Sequence, residues 1–346
     1  MKKLALSAVA LVCLLACGGT SSPSQSAASS GPPEKTSLKM GVGGQAQIIY
    51  MPLTLADQLG YFKAEGISVE ITDLQGGSKA LEALVGGSVD VVTGFYEHTI
   101  RTQTQGKFIE MVTLFDRYPG LVMEVGKAHR DQVKSIKDLV GHPVGVTAAG
   151  SSTDEMIKYL AKKNGLGIND IPTQPVGSGS TAIAALTGGL VWAVVTVEPA
   201  ATQLEKTGEG KPIYDTRTEQ GTKEVFGGSW PAGGFYMFRD FVRQNPRTVQ
   251  AMARAGVKTL KYIKSHSAEE IANHLPSSFF VAGDKAAFVE TLKANLGQFS
   301  DTGLMPSDGP SNVFETLKTA DPKTDWSSVD LKKTYDNSFV QKAGVK

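Results

Sequence analysis

Two stretches of the chain share one pattern of apolar and polar positions. Residues 77–92 begin with Gly-Ser, continue with apolar residues at helical spacing, and end with Gly-Gly and a short β-branched run. Residues 179–195 repeat this order without a gap between the matching positions. The spacing predicts a helix followed by a buried strand in each stretch. The repeat therefore predicts two similar α/β lobes, unless Ala-Leu-x-Gly-Gly is merely a common way for a helix to lead into a strand.

Other segments fit the same α/β architecture. Runs of apolar and β-branched residues predict further strands over 38–42, 67–71, 108–114, 121–125, 144–146 and 235–238. Proline is favoured in the first turn of a helix, so we expect helices to start at Pro52 and Pro246. Ser78 is a candidate helix cap, and Ser152-x-x-Glu155 matches a capping box at the start of a further helix.

The loops that follow the predicted strands are the first places to expect a ligand, because open α/β sheets bind ligands beyond the carboxyl ends of their strands. Gln45 and Tyr50 lie in the loop after the first strand, and residues 94–98 follow the strand of the first repeat. Residues 147–155 lead from a strand into a helix and are rich in hydroxyls. These hydroxyls predict either a site for a polar or anionic group at the helix N-terminus, or simple helix capping.

The N-terminus predicts export and lipid anchoring. Residues 1–16 combine a basic start with a short apolar run, which is typical of a signal peptide. The sequence before Cys17 resembles a bacterial lipobox, so Cys17 is the predicted lipidation site, and residues 17–37 form a predicted flexible tether. Cys13 is removed with the signal peptide. The mature chain would then keep no free cysteine thiol. The sequence therefore predicts no disulfide, no thiolate catalysis and no cysteine-based zinc site.

Charge and residue spacing argue against nucleic-acid binding and against catalysis. The full chain has 35 basic and 34 acidic residues, and loss of the signal peptide removes two of the basic ones. None of the five histidines has a metal-ligand spacing, and G-x-S-x-G is absent. A dinucleotide fingerprint beginning at Gly41 is rejected because Pro52 falls inside the helix that it would need. We therefore predict no cofactor, no metal and no enzyme activity.

Several motifs, in order along the chain, resemble the substrate-binding proteins of ABC importers, in the nitrate/sulfonate/taurine-binding branch. The matching segments are residues 60–62, 65–69, 83–90, 135–141, 144–146, 150–153, 198–199 and 241–246. This resemblance implies an α/β periplasmic-binding-protein fold of type II, in which two lobes with mixed, mostly parallel sheets enclose a cleft. It also implies a monomer in the periplasm or at the cell surface, which closes on a small molecule and delivers it to a membrane permease with a separate ATPase.

The resemblance places lobe one at residues 38–125 plus 232–346 and lobe two at residues 126–231. It also places the ligand in the cleft, against the strand-exit loops of both lobes. The implied ligand-binding residues are Gln45, Tyr50, Gly77, Ser78, Phe95, Tyr96, Glu97, Ser151, Ser152, Thr153, Ser178, Ser180, Glu198 and Trp230. The sequence departs from the family at Trp192, where the first repeat has Asp90 and the family usually has aspartate.

The implied cleft residues include two carboxylates, Glu97 and Glu198, but neither arginine nor lysine. A buried oxyanion would be repelled by both. We therefore expect Glu97 and Glu198 to accept hydrogen bonds from a ligand with an aromatic or apolar body, such as an aminopyrimidine-like compound. A sulfonate or taurine-like zwitterion is the alternative ligand, and a structural corner is the alternative role of Glu198. A ligand sensor that signals to a membrane partner, and a catalytic relative that acts on a pyrimidine, are the alternative functions.

Overall fold

The structure is a computed structural model that describes residues 31–344. The predicted signal peptide, Cys17 and the tether up to residue 30 lie outside the described residues. Ten strands, β1 to β10 in chain order, are Ser37–Val42, Ser68–Asp73, Val91–Phe95, Ile109–Leu114, Val122–Gly126, Val144–Val146, Thr173–Pro175, Ala193–Thr196, Gly210–Asp215 and Gly233–Phe238. They form two sheets of five strands within this part of the chain.

The two sheets have the same topology. The first has the order β2-β1-β3-β10-β4, and the second has the order β7-β6-β8-β5-β9. Pairing is parallel along β2-β1-β3 and along β7-β6-β8, while β10 and β5 are the antiparallel strands. The sheets are therefore mixed and mostly parallel, as the α/β prediction requires.

Helices cover the sheets and are numbered α1 to α14 in chain order. They are Met51–Gln58, Tyr61–Ala64, Gly77–Val85, Glu97–Arg101, Ser152–Lys163, Ser180–Thr187, Ala200–Lys206, Glu219–Phe226, Arg239–Gln244, Pro246–Ser265, Ala268–Ala272, Lys285–Asn295, Gly309–Ala320 and Ser338–Lys342. Short 3-10 segments occur at Ile48–Tyr50, Thr102–Gln105, Ile136–Leu139, Ser277–Phe279, Val281–Gly283, Leu296–Gln298 and Leu331–Lys333. None of the helices within residues 31–344 is long and apolar enough to cross a membrane.

The helix–strand repeat predicted from the sequence is present in both halves. Helix α3 precedes β3 and helix α6 precedes β8, and these strands occupy the central position of their sheets. The second glycine of each Gly-Gly pair, Gly87 or Gly189, has a φ of about +74° or +73°. A side chain is disfavoured there, so the glycines end both helices for the same steric reason.

The predicted boundary between the lobes is wrong at one strand. Strand β5 was assigned with the first lobe, but it pairs with β8 and β9 in the second sheet. The chain therefore crosses between the sheets over residues 115–121, before β5, and returns over residues 227–232, before β10. Strand β5 fills the antiparallel position that β10 fills in the first sheet, and its apolar sequence alone did not reveal which sheet it joins.

The two repeats differ where each central strand begins. Asp90 accepts a hydrogen bond from the Lys39 backbone N–H at 3.0 Å. Trp192, at the equivalent position, lies between two imidazole rings, with ring centroids 3.9 Å from His129 and 3.4 Å from His142. Both side chains fix the start of a strand by local contacts, so the tryptophan is compatible with the fold.

Candidate ligand-binding site

The strand-exit loops of the two sheets meet and hydrogen-bond to each other. In the first turn of α3, the Ser78 hydroxyl donates to the Ala149 carbonyl after β6, at 2.7 Å. The Ser178 hydroxyl after β7 donates to the Gln75 side chain at 3.1 Å. The Ile48 N–H after β1 donates to the carbonyl of Glu198 after β8, at 3.0 Å. The lobes are therefore closed on each other at the predicted cleft.

The serines that the sequence assigned to helix capping make contacts between the lobes instead. Ser151 precedes α5, yet its hydroxyl accepts the backbone N–H of Ser78 in the first turn of α3, at 3.0 Å. Ser152 directs its hydroxyl to Glu97 at 2.6 Å, and Glu155 pairs with Arg101 at 2.6 Å. The predicted Ser152-x-x-Glu155 capping box and the predicted Ser78 cap are therefore wrong, because these groups have partners across the cleft.

Glu97 is the central buried charge of this interface. It is the first residue of α4, directly beyond β3, and it is fully buried. One carboxylate oxygen accepts the Ser152 hydroxyl, and the other has no hydrogen-bond partner among the described residues. Burial raises the pKa of Glu97 to about 7, although the hydrogen bond from Ser152 and the charge of Arg101 lower it.

Two neighbours of Glu97 on α4 complete the polar surroundings. His98 Nδ1 lies 3.0 Å from the Tyr236 hydroxyl, and His98 Nε2 lies 3.6 Å from a Glu97 oxygen. Burial and the charge of Arg101 lower the pKa of His98 to about 4, so this ring is neutral at neutral pH. Arg101 was missed from the sequence, although its position one helical turn after Glu97 was a usable signal.

Aromatic rings lie beside this polar group. The rings of Tyr50 and Phe95 meet edge-on, with centroids 6.2 Å apart, and Phe95 lies 6.0 Å from Trp230. Trp230 also stacks on Phe226 at 4.8 Å. Trp230 is 1% exposed, and its indole N–H has no hydrogen-bond partner among the described residues. The structure thus brings together three predicted site residues and adds Phe226, which the sequence analysis did not select.

A cavity of about 360 Å³ opens where the strand-exit loops of both sheets meet. The predicted residues Ser178, Ser180 and Glu198 line it, together with Gln47 and the segment 278–282. Gln47 was missed in favour of Gln45, whose amide instead donates to Thr54 at 3.0 Å. The cavity therefore includes part of the predicted site, and the C-terminal segment contributes to it.

Two other predicted residues have partners within their own lobe. The Tyr96 hydroxyl pairs with Thr334, away from the aromatic rings around Phe95. The Thr153 hydroxyl, in the first turn of α5, accepts the backbone N–H of Thr147 at 3.0 Å. Side chains of successive residues point in different directions, so adjacent positions in a loop need not share a site.

Both carboxylate oxygens of Glu198 are occupied by protein donors. They accept the N–H and the hydroxyl of Thr202, at 2.9 and 2.7 Å, and one also pairs with Arg217 at 2.7 Å. These contacts fit the alternative role of Glu198 as a structural corner. Arg217, like Arg101, brings a positive charge to a region where the sequence analysis found none.

Gly77 and Gly43 differ in how closely other groups pack against them. A Cβ atom at Gly77 would lie 3.4 Å from His98 Cε1 and 3.6 Å from the Ser151 hydroxyl oxygen. Gly43 is tighter still, because a Cβ there would lie 2.6 Å from the Gly77 nitrogen. The glycine of the rejected dinucleotide pattern therefore serves close backbone packing beside the cleft.

Comparisons with known proteins agree with this architecture. The model of the NMT1-like family matches residues 31–275. A Bacillus subtilis (strain 168) protein that is named as a binding protein, YtlA, is 25% identical over 243 residues, 67% of this chain and 68% of YtlA. A solved structure from Bordetella bronchiseptica RB50 is 38% identical, with a TM-score of 0.88, and the match covers 91% of this chain and 98% of that one.

A second solved structure is the periplasmic nitrate-binding protein NrtA from Synechocystis PCC 6803. It is 18% identical, with a TM-score of 0.71, and the match covers 91% of this chain and 89% of NrtA. The predicted two-lobed fold and the predicted resemblance to the nitrate/sulfonate branch are both confirmed. The chain belongs to the NMT1-like family, and its fold is that of the periplasmic binding proteins.

Proposed function

We propose that the protein is an extracytoplasmic solute-binding lipoprotein of an ABC importer. It captures a small organic molecule between its lobes and delivers it to a membrane permease that is driven by a separate ATPase. The observation that carries this proposal is the set of direct hydrogen bonds between the lobes, formed by the strand-exit loops around Glu97. Such contacts favour a closed state, and a ligand that adds its own contacts there selects that state.

The polar groups at the site favour a ligand that carries hydrogen-bond donors. Within residues 31–344, one buried carboxylate oxygen of Glu97 has no hydrogen-bond partner. Buried polar atoms are nearly always paired, so an unpaired acceptor beside aromatic rings is a good position for an amino group. Tyr50, Phe95 and Trp230 offer the apolar faces that a flat organic body would contact. An aminopyrimidine-like or other amino-bearing aromatic compound fits these features.

The same geometry disfavours a nitrate-like or sulfonate-like anion. The N-terminus of α5 is the positive end of a 12-residue helix, where an anion would be stabilised. Glu97 already places a carboxylate against the first residue of that helix, at 2.6 Å from the Ser152 hydroxyl. A second anion there would be repelled by the first, so the protein's own carboxylate takes the role of the anionic ligand.

The first test is a thermal-shift screen of residues 31–346, after unfolding and refolding to remove bound ligand. This range keeps the contacts of Glu34 with Thr248 and of Lys35 with Asp90. The panel contains aminopyrimidines, benzamidine, amino acids, aromatic carboxylates, sulfonates and nitrate. A ligand at 100 times its Kd adds about 2.7 kcal/mol, which raises Tm by several degrees. Stabilisation by amino-bearing rings is expected. Stabilisation by sulfonates or nitrate alone would show that the helix N-terminus dominates and would contradict the proposed ligand class.

A matched pair of variants then tests whether Glu97 or Glu198 contacts the ligand. Glu97→Gln should weaken binding of the stabilising amine at least tenfold, which is about 1.4 kcal/mol. Glu198→Gln should leave Kd within twofold, because its carboxylate already has Thr202 and Arg217 as partners. Isothermal titration calorimetry measures both. Equal affinities in the wild type and Glu97→Gln would remove Glu97 from the site.

A further inference from the structure

Asp116 is a second buried carboxyl group beside the aromatic rings, and the proposed function above does not use it. It lies in the first crossover, directly after β4, and is fully buried. Neither of its carboxyl oxygens has a hydrogen-bond partner among the described residues. Burial raises the pKa of Asp116 well above its usual range. An unpaired buried carboxyl is costly, so its position calls for a reason.

The backbone of Asp116 lies where the two crossovers pair with each other. Its N–H donates to the Gly233 carbonyl at 3.2 Å, and its own carbonyl accepts the Ala232 N–H at 3.0 Å. The Phe115 N–H also donates to the Gly233 carbonyl, at 2.7 Å. Both connections between the sheets pass through this point. A group bound by the Asp116 side chain would therefore contact the hinge itself.

The side chain of Asp116 lies next to backbone positions that neighbour the aromatic residues of the candidate site. A Cβ atom at Gly233 would lie 2.3 Å from Asp116 Oδ2 and 3.3 Å from Ile49 Cγ1, so the carboxyl packs over this glycine beside the residue that precedes Tyr50. Gly233 is the strand partner of Phe95. Burial, with the charges of Glu97 and Asp116, raises the pKa of Tyr50.

We propose that Asp116 is a specificity-determining residue, which accepts a hydrogen bond from an amino or amidinium group of the ligand at the hinge. This inference rests on the proposed solute-binding function. Asp116 and Glu97 are two buried acceptors, and the Trp230 N–H is a buried donor without a hydrogen-bond partner in the part of the chain that the structure describes. A flat ring with an amino substituent supplies the donor that the unpaired Asp116 carboxyl needs. A neutral ring of the same shape without the amino group leaves the carboxyl unpaired.

The test compares two carboxyl-to-amide variants. Asp116→Asn removes the proposed acceptor. Glu124→Gln is the matched control. Glu124 is also fully buried, and neither of its oxygens has a hydrogen-bond partner among residues 31–344, but it lies on β5 in the second sheet. The probes are 4-aminopyrimidine, 4-methylpyrimidine, benzamidine and benzenesulfonate, and Kd is measured by calorimetry. Thermal unfolding of each variant confirms that it folds.

We expect the wild type and Glu124→Gln to bind 4-aminopyrimidine or benzamidine at least tenfold more tightly than 4-methylpyrimidine. Asp116→Asn should lose this preference. Retention of the preference in Asp116→Asn, or its equal loss in Glu124→Gln, would overturn the inference. A wild type that binds neither amine would overturn it as well, while binding of any other solute in the wider panel would leave the importer role intact.

A crystal structure of the wild-type protein with the bound amine keeps the inference testable if Asp116→Asn does not fold. In that structure, the amino or amidinium nitrogen of the ligand should lie within about 3.2 Å of an Asp116 oxygen. An amine bound elsewhere, or one that contacts Glu97 alone, would overturn the assignment of Asp116.

Discussion

At the scale of single residues, the candidate site combines two ionisable groups, a glutamate and a histidine, whose pKa values are changed by burial. Glu97 keeps its proton to about pH 7, whereas His98 stays neutral down to about pH 4. At neutral pH the site therefore holds a carboxyl group near its midpoint beside an uncharged imidazole. A ligand with a positive or strongly polar donor would favour the ionised form of Glu97, whereas an anion would favour the protonated form.

Glu97 should make the ligand-free protein less stable as the pH rises. Burial raises its pKa from 4.5 to about 7, so between these values the folded state holds a proton that the unfolded state has released. This contribution is present in full below pH 4.5 and is lost as the pH rises to about 7, at about 1.4 kcal/mol per pH unit. Unfolding of the wild type and Glu97→Gln by denaturant at pH 5 to 8 measures the difference.

Glu124→Gln serves as the control for that experiment. Burial, with the charge of Glu205, raises the pKa of Glu124 to about 8, so its contribution should decline over a wider range that ends about one pH unit higher. If the free energy of unfolding changed with pH in the same way for the wild type and Glu97→Gln, the folded state would not hold the Glu97 proton.

At the scale of elements, the first turn of α5 has two neighbouring hydroxyls with different tasks. Ser152 donates to Glu97 in the other lobe, whereas Thr153 accepts the Thr147 N–H within its own lobe. Ser152→Ala should weaken ligand binding about fivefold, because the closed state loses a hydrogen bond worth about 1 kcal/mol. Thr153→Ala should instead lower the free energy of unfolding by about 1 kcal/mol and leave Kd within twofold.

Calorimetry and thermal unfolding of both variants separate these outcomes. If Thr153→Ala weakened binding as much as Ser152→Ala, the contact between Ser152 and Glu97 would have no special role in closure.

The elements could be predicted from the sequence because their signals are local. Apolar spacing and a Gly-Gly stop define α3 and β3 by themselves, and the repeat showed that the second half would copy them. The partners of Ser78 and Ser151 could not be predicted, because a hydroxyl near a helix start matches the capping rules whether its partner lies in the same helix or in the other lobe. The sheet that β5 joins depends on where the crossover occurs, which its apolar sequence does not encode.

At the scale of the whole molecule, the Ser78 and Ser151 hydroxyl oxygens lie 3.3 Å apart across the cleft. Replacing both with cysteine should allow a disulfide, because the sulfurs need to approach by only about 1 Å to reach a bond of about 2 Å. The oxidised variant should be held closed and should exchange ligand at least tenfold more slowly than the reduced form. Ligand dissociation with and without a reducing agent measures this effect.

The single variant Ser78→Cys controls for the loss of the hydroxyl, and both natural cysteines precede residues 31–346. If oxidation left the exchange rate of the double variant unchanged, the lobes would not need to separate for the ligand to enter.

The contact between the Glu97 carboxylate and the first residue of α5 also affects how such a protein can change its ligand. Glutamate and glutamine codons differ by one base, so a single mutation at Glu97 removes the negative charge and keeps the shape of the side chain. The helix N-terminus would then be open to an external anion, with the Ser152 hydroxyl already in place to bind it. Under the proposed function, a receptor for amines is therefore one mutational step from a receptor for anions, and the scaffold of two lobes need not change for a lineage to acquire a new nutrient.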